Sequence, residues 1–141
     1  MSTKAASAAA RCEAYRKLGY HCSESVIRAC SDAMGLDLSP DVLRCACGFR
    51  GGGGGAGGRC GVIEAGIMLL SHQYGRDRPD APCEGYSARV RSLIRQFERT
   101  FGSTECRDLN PAELAAAGDC GRIFRQGAEL VCRCLEEERP L

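Results

Sequence analysis

The chain has 141 residues, 44% of them hydrophobic and 26% charged, which is enough for one soluble domain with a real core. Lysine and arginine total 19 against 18 aspartates and glutamates, so the net charge of +1 excludes a polybasic nucleic-acid binder and an acidic-tail protein. Two counts stand out, 18 glycines and 11 cysteines. The longest apolar stretch, Val62 to Leu70, is interrupted by Glu64 and is far short of the roughly 20 residues a membrane span needs. The alanine-rich start lacks the apolar centre of a signal peptide, so the expected location is cytoplasmic. Thiols stay reduced there, and eleven cysteines then read as metal ligands or redox groups before they read as disulfides.

In chain order, Ala5 to Leu18 reads as a helix stopped by Gly19. Ser23 is the expected cap of a second helix, with Val26, Ile27, Cys30, Ala33 and Met34 on one face and Gly35 at its end. Ser39-Pro40-Asp41 opens a short helix to about Ala46. A glycine run follows, and Cys60 then begins an apolar helix to Tyr74, closed by Gly75. Residues 76–86 hold two prolines and read as a loop. From Ser87, the residues Val90, Leu93, Ile94, Phe97 and Phe101 recur with helical spacing, and Arg91, Arg95 and Arg99 form a solvated stripe opposite them. Asn110-Pro111-Ala112-Glu113 has the form of a helix cap. The last helix starts near Cys120, with Phe124, Val131 and Leu135 on one face. No period-2 pattern and no repeat occurs. The expectation is therefore an all-α fold, one helical bundle of five to six helices spanning 1–141, with a glycine-rich loop before its central helix.

No C-x-x-C occurs, which argues against a thioredoxin-type dithiol, a zinc ribbon and a ferredoxin-type run. Any multi-cysteine site must be assembled from distant segments. Cys60 is the best-placed thiol, because the N–H groups and dipole at a helix start favour a thiolate. The glycines before it let the main chain approach a metal-bound thiolate or a cluster sulfide, with N–H groups of the 51–58 loop donating to sulfur. The cofactor-binding glycines expected on this basis are Gly52, Gly53, Gly54, Gly55, Gly57, Gly58 and Gly61. Cys22 and Cys120 also lie at helix starts, and Cys106 lies in the loop after Gly102. The pairs Cys45/Cys47 and Cys132/Cys134 chelate poorly, since residues i and i+2 of a helix point about 200° apart. They read as packing residues or incidental enrichment, as do Cys12, Cys30 and Cys83. Gly52, Gly54 and Gly57 match G-x-G-x-x-G, but no strand precedes them and no Gly-Lys-Ser/Thr follows, so nucleotide binding is not expected. His21 reads as a surface histidine and Glu64 as an exposed carboxylate.

Together these segments resemble the C_GCAxxG_C_C family of redox-active proteins. Gly19-Tyr20-His21-Cys22-Ser23-Glu24-Ser25-Val26 looks like the family's G-Y-N-C-A-Q-A-V segment. Gly48-Phe49, the glycine run and Cys60-Gly61 look like its G-F-G-G-G-x-G-x-x-G-x-x-C-G stretch, and Tyr74-Gly75-Arg76 matches the end of the next helix. Phe101 to Leu109 matches the third cysteine segment, and Cys120 with Ala128-Glu129-Leu130 matches the fourth. The chain departs from the family's C-G-A-x-x-G at Val62 and Ala65, and from its asparagine at His21. The resemblance implies a helical fold and Cys22, Cys60, Cys106 and Cys120 as the characteristic four cysteines. A similar domain in split-Soret cytochromes carries an iron–sulfur cluster, which implies a [2Fe–2S] centre for electron transfer or redox sensing. Family members often lie beside transporter genes, which points indirectly to a membrane-transport partner. The remaining expectations are an unidentified redox partner, no nucleic acid, no insertion in the membrane, and an apolar helix face that suits a homodimer. Two other functions fit the residues. One is a metal-free thiol–disulfide oxidoreductase in which Cys60 attacks and Cys22 or Cys120 resolves. The other is a structural zinc or binding module.

Overall fold

The computed structural model describes residues 2–138. Helix α1 (Thr3–Lys17) is capped by Ser2, whose Oγ accepts from the Ala5 N–H. Its buried residues, Ala5, Ala8 and Cys12, are small, so α1 lies close against α2 (Cys22–Met34) and the C-terminal helix. The cap of α2 is His21 rather than the expected Ser23. The hydroxyl of Ser23 instead donates across the interface to the Ala46 carbonyl at 2.7 Å, while Glu24 Oε1 accepts from the His21 N–H. Val26, Ile27 and Cys30 face the core as their spacing predicts, and Gly35 ends the helix with a left-handed φ of 68°. Helix α3 (Pro40–Arg44) begins after Ser39, which caps it, and a tight 3-10 segment, Cys47–Gly52, leads into the glycine loop.

Helix α4 (Gly61–Tyr74) is the central element. Val62, Ile63, Ala65, Leu69 and Leu70 are all fully buried, so it is apolar on most of its circumference, as a helix enclosed by others must be. It packs on α2, on α5 (Glu84–Phe101) and on α7 (Gly121–Glu136). Two contacts are close enough to require glycine. A Cβ at position 66 would stand 2.6 Å from Leu93 Cδ2, and one at 127 would stand 2.6 Å from Val62 Cγ1. The second contact explains how the chain tolerates valine where the family has alanine: the bulk of Val62 fills the space that Gly127 leaves.

Helix α5 starts at Glu84, so the preceding loop is shorter than the prolines suggest. Leu93 and Phe97 are buried, with Val90, Ile94 and Phe101 half-buried beside them. The Arg91 side chain pairs with Glu84 on the outer face.

The largest departure from expectation is α6 (Cys106–Ala117). It begins four residues before Asn110, and Pro111 lies inside it. Its start is fixed by a long-range contact rather than a local cap. Arg59 and Glu105 form an antiparallel bridge, in which the Cys60 N–H donates to Thr104 O and the Cys106 N–H donates to Gly58 O, both at 2.8 Å. The backbone just before α4 is thereby tied to the backbone just before α6. Seven α-helices form among the described residues, against about five to six expected. The fold is all-α, and among the described residues the Arg59–Glu105 bridge is the only β pairing. No described helix is long and apolar enough to cross a membrane.

Candidate functional site

Five α-helices begin at cysteines; Cys83, which precedes α5, is exposed and does not line the cavity that the other four share. Cys22 is the first residue of α2, Cys60 caps α4, Cys106 is the first residue of α6 and Cys120 caps α7. Cys106 is thus a helix-start residue, not the loop residue its sequence context suggests. All four line one cavity of about 480 Å³. Cys60 is buried, and Cys22, Cys106 and Cys120 are half-buried. The closeness of the first two segments is visible at Gly61, where a Cβ would stand 2.6 Å from Cys22 Sγ and 2.9 Å from the Phe49 carbonyl oxygen. The glycine after Cys60 therefore leaves room for the sulfur of Cys22.

The polar lining is one-sided. Arg50, Arg107 and the exposed His21 contribute to the wall, and no aspartate or glutamate does. Among the described residues neither arginine forms an ion pair with a carboxylate. Arg107 Nε donates to the Gly57 carbonyl at 2.8 Å, which fixes the loop over the start of α6. Glu64, expected to be exposed, is instead drawn aside into an ion pair with Arg59.

The glycine loop works differently from expectation. Gly51, Gly55, Gly57 and Gly61 reach the cavity, while Gly52, Gly53, Gly54 and Gly58 do not line it. The N–H groups of residues 53–58 are spent inside the loop: Gly54 donates to Gly48 O, Gly55 to Arg50 O, Gly57 to Gly51 O and Gly58 to Gly52 O. They are not free to serve sulfur or phosphate. Glycine is required here for two other reasons. Residues 51–55 and 57 all have positive φ, between 58° and 91°, and a Cβ at Gly52 would stand 2.3 Å from the Gly58 nitrogen. At α6 the first-turn N–H groups are spent as well, Cys106 N–H on Gly58 O and Arg107 N–H on Gly57 O.

Cys60 also corrects a sequence expectation. Burial pushes its thiol up to about 12, and the nearby Cys22 sulfur adds to the shift. The N–H groups of Val62 and Ile63 act in the opposite sense and are outweighed. Desolvation thus defeats the helix-start effect, and the metal-free thiol is protonated at neutral pH. Cys120 is raised to about 11, first by burial and then by the charges of Cys106, Glu113, Cys22 and Asp119. Cys106 is raised by burial and by Cys22. No three His, Cys, Asp or Glu side chains among the described residues converge on a point that would hold a single metal ion. The sulfurs line the wall of a cavity instead.

The other seven cysteines are elsewhere. Cys12, Cys30, Cys132 and Cys134 are buried in the core, whereas Cys45, Cys47 and Cys83 are exposed rather than packed. Arg50, Arg107 and Asn110 at the cavity escaped the sequence reading as site residues. Asn110, read as a cap, lines the cavity and accepts from the Cys120 thiol at 2.9 Å through Oδ1.

Comparison with known proteins agrees with the segment-by-segment match. The family model described as "Putative redox-active protein (C_GCAxxG_C_C)" matches residues 20–134. An uncharacterised protein of Archaeoglobus fulgidus is 26% identical over 131 residues, which cover 84% of this chain and 87% of the relative. No solved structure matches at a significant level. With the four cavity thiols and the glycine loop all inside the matched segment, the chain belongs to the C_GCAxxG_C_C family of redox-active proteins.

Proposed function

We propose that the protein holds an iron–sulfur cluster, [2Fe–2S], through Cys22, Cys60, Cys106 and Cys120, and uses it for one-electron transfer or redox sensing. One observation carries this reading: four thiols, each at the start of a different helix, line a single cavity whose wall contains no carboxylate. Thiolate donors suit iron–sulfur clusters and zinc alike. The resemblance to the iron–sulfur domain of split-Soret cytochromes favours the cluster.

Charge supports the same choice. A [2Fe–2S] centre with four thiolates carries a net charge of about −2 when oxidised. Each helix start contributes the equivalent of roughly half a positive charge. The helix starts offset part of such a charge, less at α6, where the Cys106 and Arg107 N–H groups are already bonded, and among the described residues Arg50 and Arg107 at the wall pair with no carboxylate. When bound, the cluster would supply a one-electron couple. The chain's own residues set its surroundings: Gly61 admits the Cys22 sulfur, the Arg59–Glu105 bridge holds Cys60 beside Cys106, and Leu109 and Ile123 give the cavity apolar walls. A reducing, cytoplasmic setting goes with this reading, since all eleven cysteines are unpaired. Thiol–disulfide exchange by Cys60 is the weaker reading, because the attacking species is the thiolate and burial holds this thiol protonated.

The test is metal and sulfide analysis of protein made and purified without oxygen. Brown protein with about two iron and two sulfide per chain is expected, and replacement of any one of the four cysteines by serine should lower both. Colourless protein carrying stoichiometric zinc would overturn the proposal.

A further inference from the structure

Asn110 presents a neutral carboxamide to the cavity. It lies one turn after Cys106 on α6, so the two residues share a face of that helix. From there it reaches the opposite wall, where Cys120 Sγ donates to its Oδ1 at 2.9 Å. It caps no helix, although the sequence around it has the form of a cap. Its partner is instead a thiol in the quartet.

We infer that Asn110 is a positioning residue for the centre, holding the Cys120 sulfur through a hydrogen bond in both the empty and the loaded protein and thereby raising the reduction potential of the cluster. The inference rests on the iron–sulfur reading above. A neutral thiol donates a hydrogen bond, whereas a metal-bound thiolate can only accept one. A carboxamide presents an acceptor and a donor on one planar group. Rotation about its last torsion replaces Oδ1 by the NH2 group at the same place, without moving either helix. The neutral side chain serves both states and adds no charge. A carboxylate could serve only the thiol, and an aliphatic side chain neither. A hydrogen bond to a ligand sulfur is worth more when the cluster carries the extra electron, so it favours the reduced form.

The experiment compares wild type with Asn110→Leu, Asn110→Asp and Asn110→Gln, all made anaerobically. It measures iron and sulfide content, the visible spectrum and the midpoint potential. Asn110→Leu should retain the cluster and lower the equilibrium constant for reduction about three- to tenfold, with about 59 mV corresponding to tenfold for one electron. Asn110→Asp should lower it further, and Asn110→Gln should restore much of the difference. Loss of the cluster from the leucine variant alone, with helix content intact and the glutamine variant still loaded, also supports positioning. A loaded leucine variant whose potential equals that of wild type overturns the inference and leaves the cluster reading standing. Loss of the cluster from all three variants, glutamine included, also overturns it, since the residue would then serve the fold. A wild type that assembles no cluster overturns both proposals.

Discussion

Replacing Gly61 by alanine tests the geometry of the site with a single methyl group. Gly61 has no left-handed φ, so an alanine there meets no backbone strain. The added Cβ would meet Cys22 Sγ at 2.6 Å, Phe49 O at 2.9 Å and Ser23 Cβ at 3.3 Å. Two of these atoms belong to the first turn of α2, which is held by the Ser23–Ala46 hydrogen bond, and the third is main chain. Ser23 Cβ and the Phe49 oxygen cannot swing away, and Cys22 Sγ can yield only by turning about its single torsion. Overpacking of this kind costs about 1–3 kcal/mol, and the gain from alanine in a helix returns at most about 1 kcal/mol. With that gain in full the expected net loss is about 0–2 kcal/mol in urea unfolding of the metal-free protein, so the difference from a control carries the test. Gly85→Ala is the matched control. It too lies in the first turn of a helix, but its Cβ meets nothing within 4 Å, so it should be neutral or stabilising by up to about 1 kcal/mol. In the loaded protein Gly61→Ala should also lower iron content, because relief of the clash displaces the Cys22 sulfur. If Gly61→Ala proved as stable as Gly85→Ala and held iron like wild type, the close approach of α2 to α4 at this sulfur would be refuted.

Further outcomes follow from particular contacts. Gly127→Ala places a Cβ 2.6 Å from Val62 Cγ1 and should cost about 1–3 kcal/mol; adding Val62→Ala, which restores the family residue, should recover part of that cost in a double-mutant cycle. Burial pushes the Cys12, Cys132 and Cys134 thiols from 9.0 up to about 12, and Cys30 upward as well. The folded state therefore holds these protons more tightly than the unfolded chain. Stability should be at its full value below pH 9 and fall as pH rises toward 12, by at most roughly 1.4 kcal/mol per pH unit for each thiol, as read in thermal melts of the metal-free protein. Glu13 is held down at about 2 by its hydrogen bonds to Arg16 and Arg125. Its contribution should be present above pH 4.5 and lost as pH falls toward 2, and Glu13→Gln should flatten that acid limb.

The sequence made the outer shape of the bundle readable and left its knot at the site obscure. The faces of α2 and α5 were legible because their apolar residues recur at helical spacing and meet one shared core. The starts of α4 and α7 were legible because a loop or glycine adjoins each cysteine. The start of α6 was not. Asn110-Pro111-Ala112-Glu113 carries a strong local cap signal, yet the Arg59–Glu105 bridge starts the helix four residues earlier, and no local pattern reports a pairing between segments so far apart. The same cap signal hid Asn110, whose side chain is directed to Cys120. At Cys60 the local rule was sound but incomplete. A helix start does favour a thiolate, and only the folded structure reveals how much desolvation opposes it.

Burial also explains how one chain can carry eleven cysteines without confusing their roles. Two of the four core thiols are held by carbonyls of α7: Cys12 Sγ donates to Phe124 O at 3.3 Å from α1, and Cys30 Sγ donates to Ala128 O at 3.4 Å from α2. Those carbonyls are four residues apart and so lie along one face of the helix. A cysteine at each facing position fills a small space and gives its weak donor a partner, which valine or alanine would not do. Deep burial keeps both thiols protonated and therefore inert as nucleophiles. The helix that anchors this seam begins at Cys120, so α7 joins the inert thiols to the cavity wall without a further linker. Position along α7 thus separates two environments of the same residue type: along its length it seals sulfur away from water, and at its cap it presents the Cys120 sulfur to an open cavity.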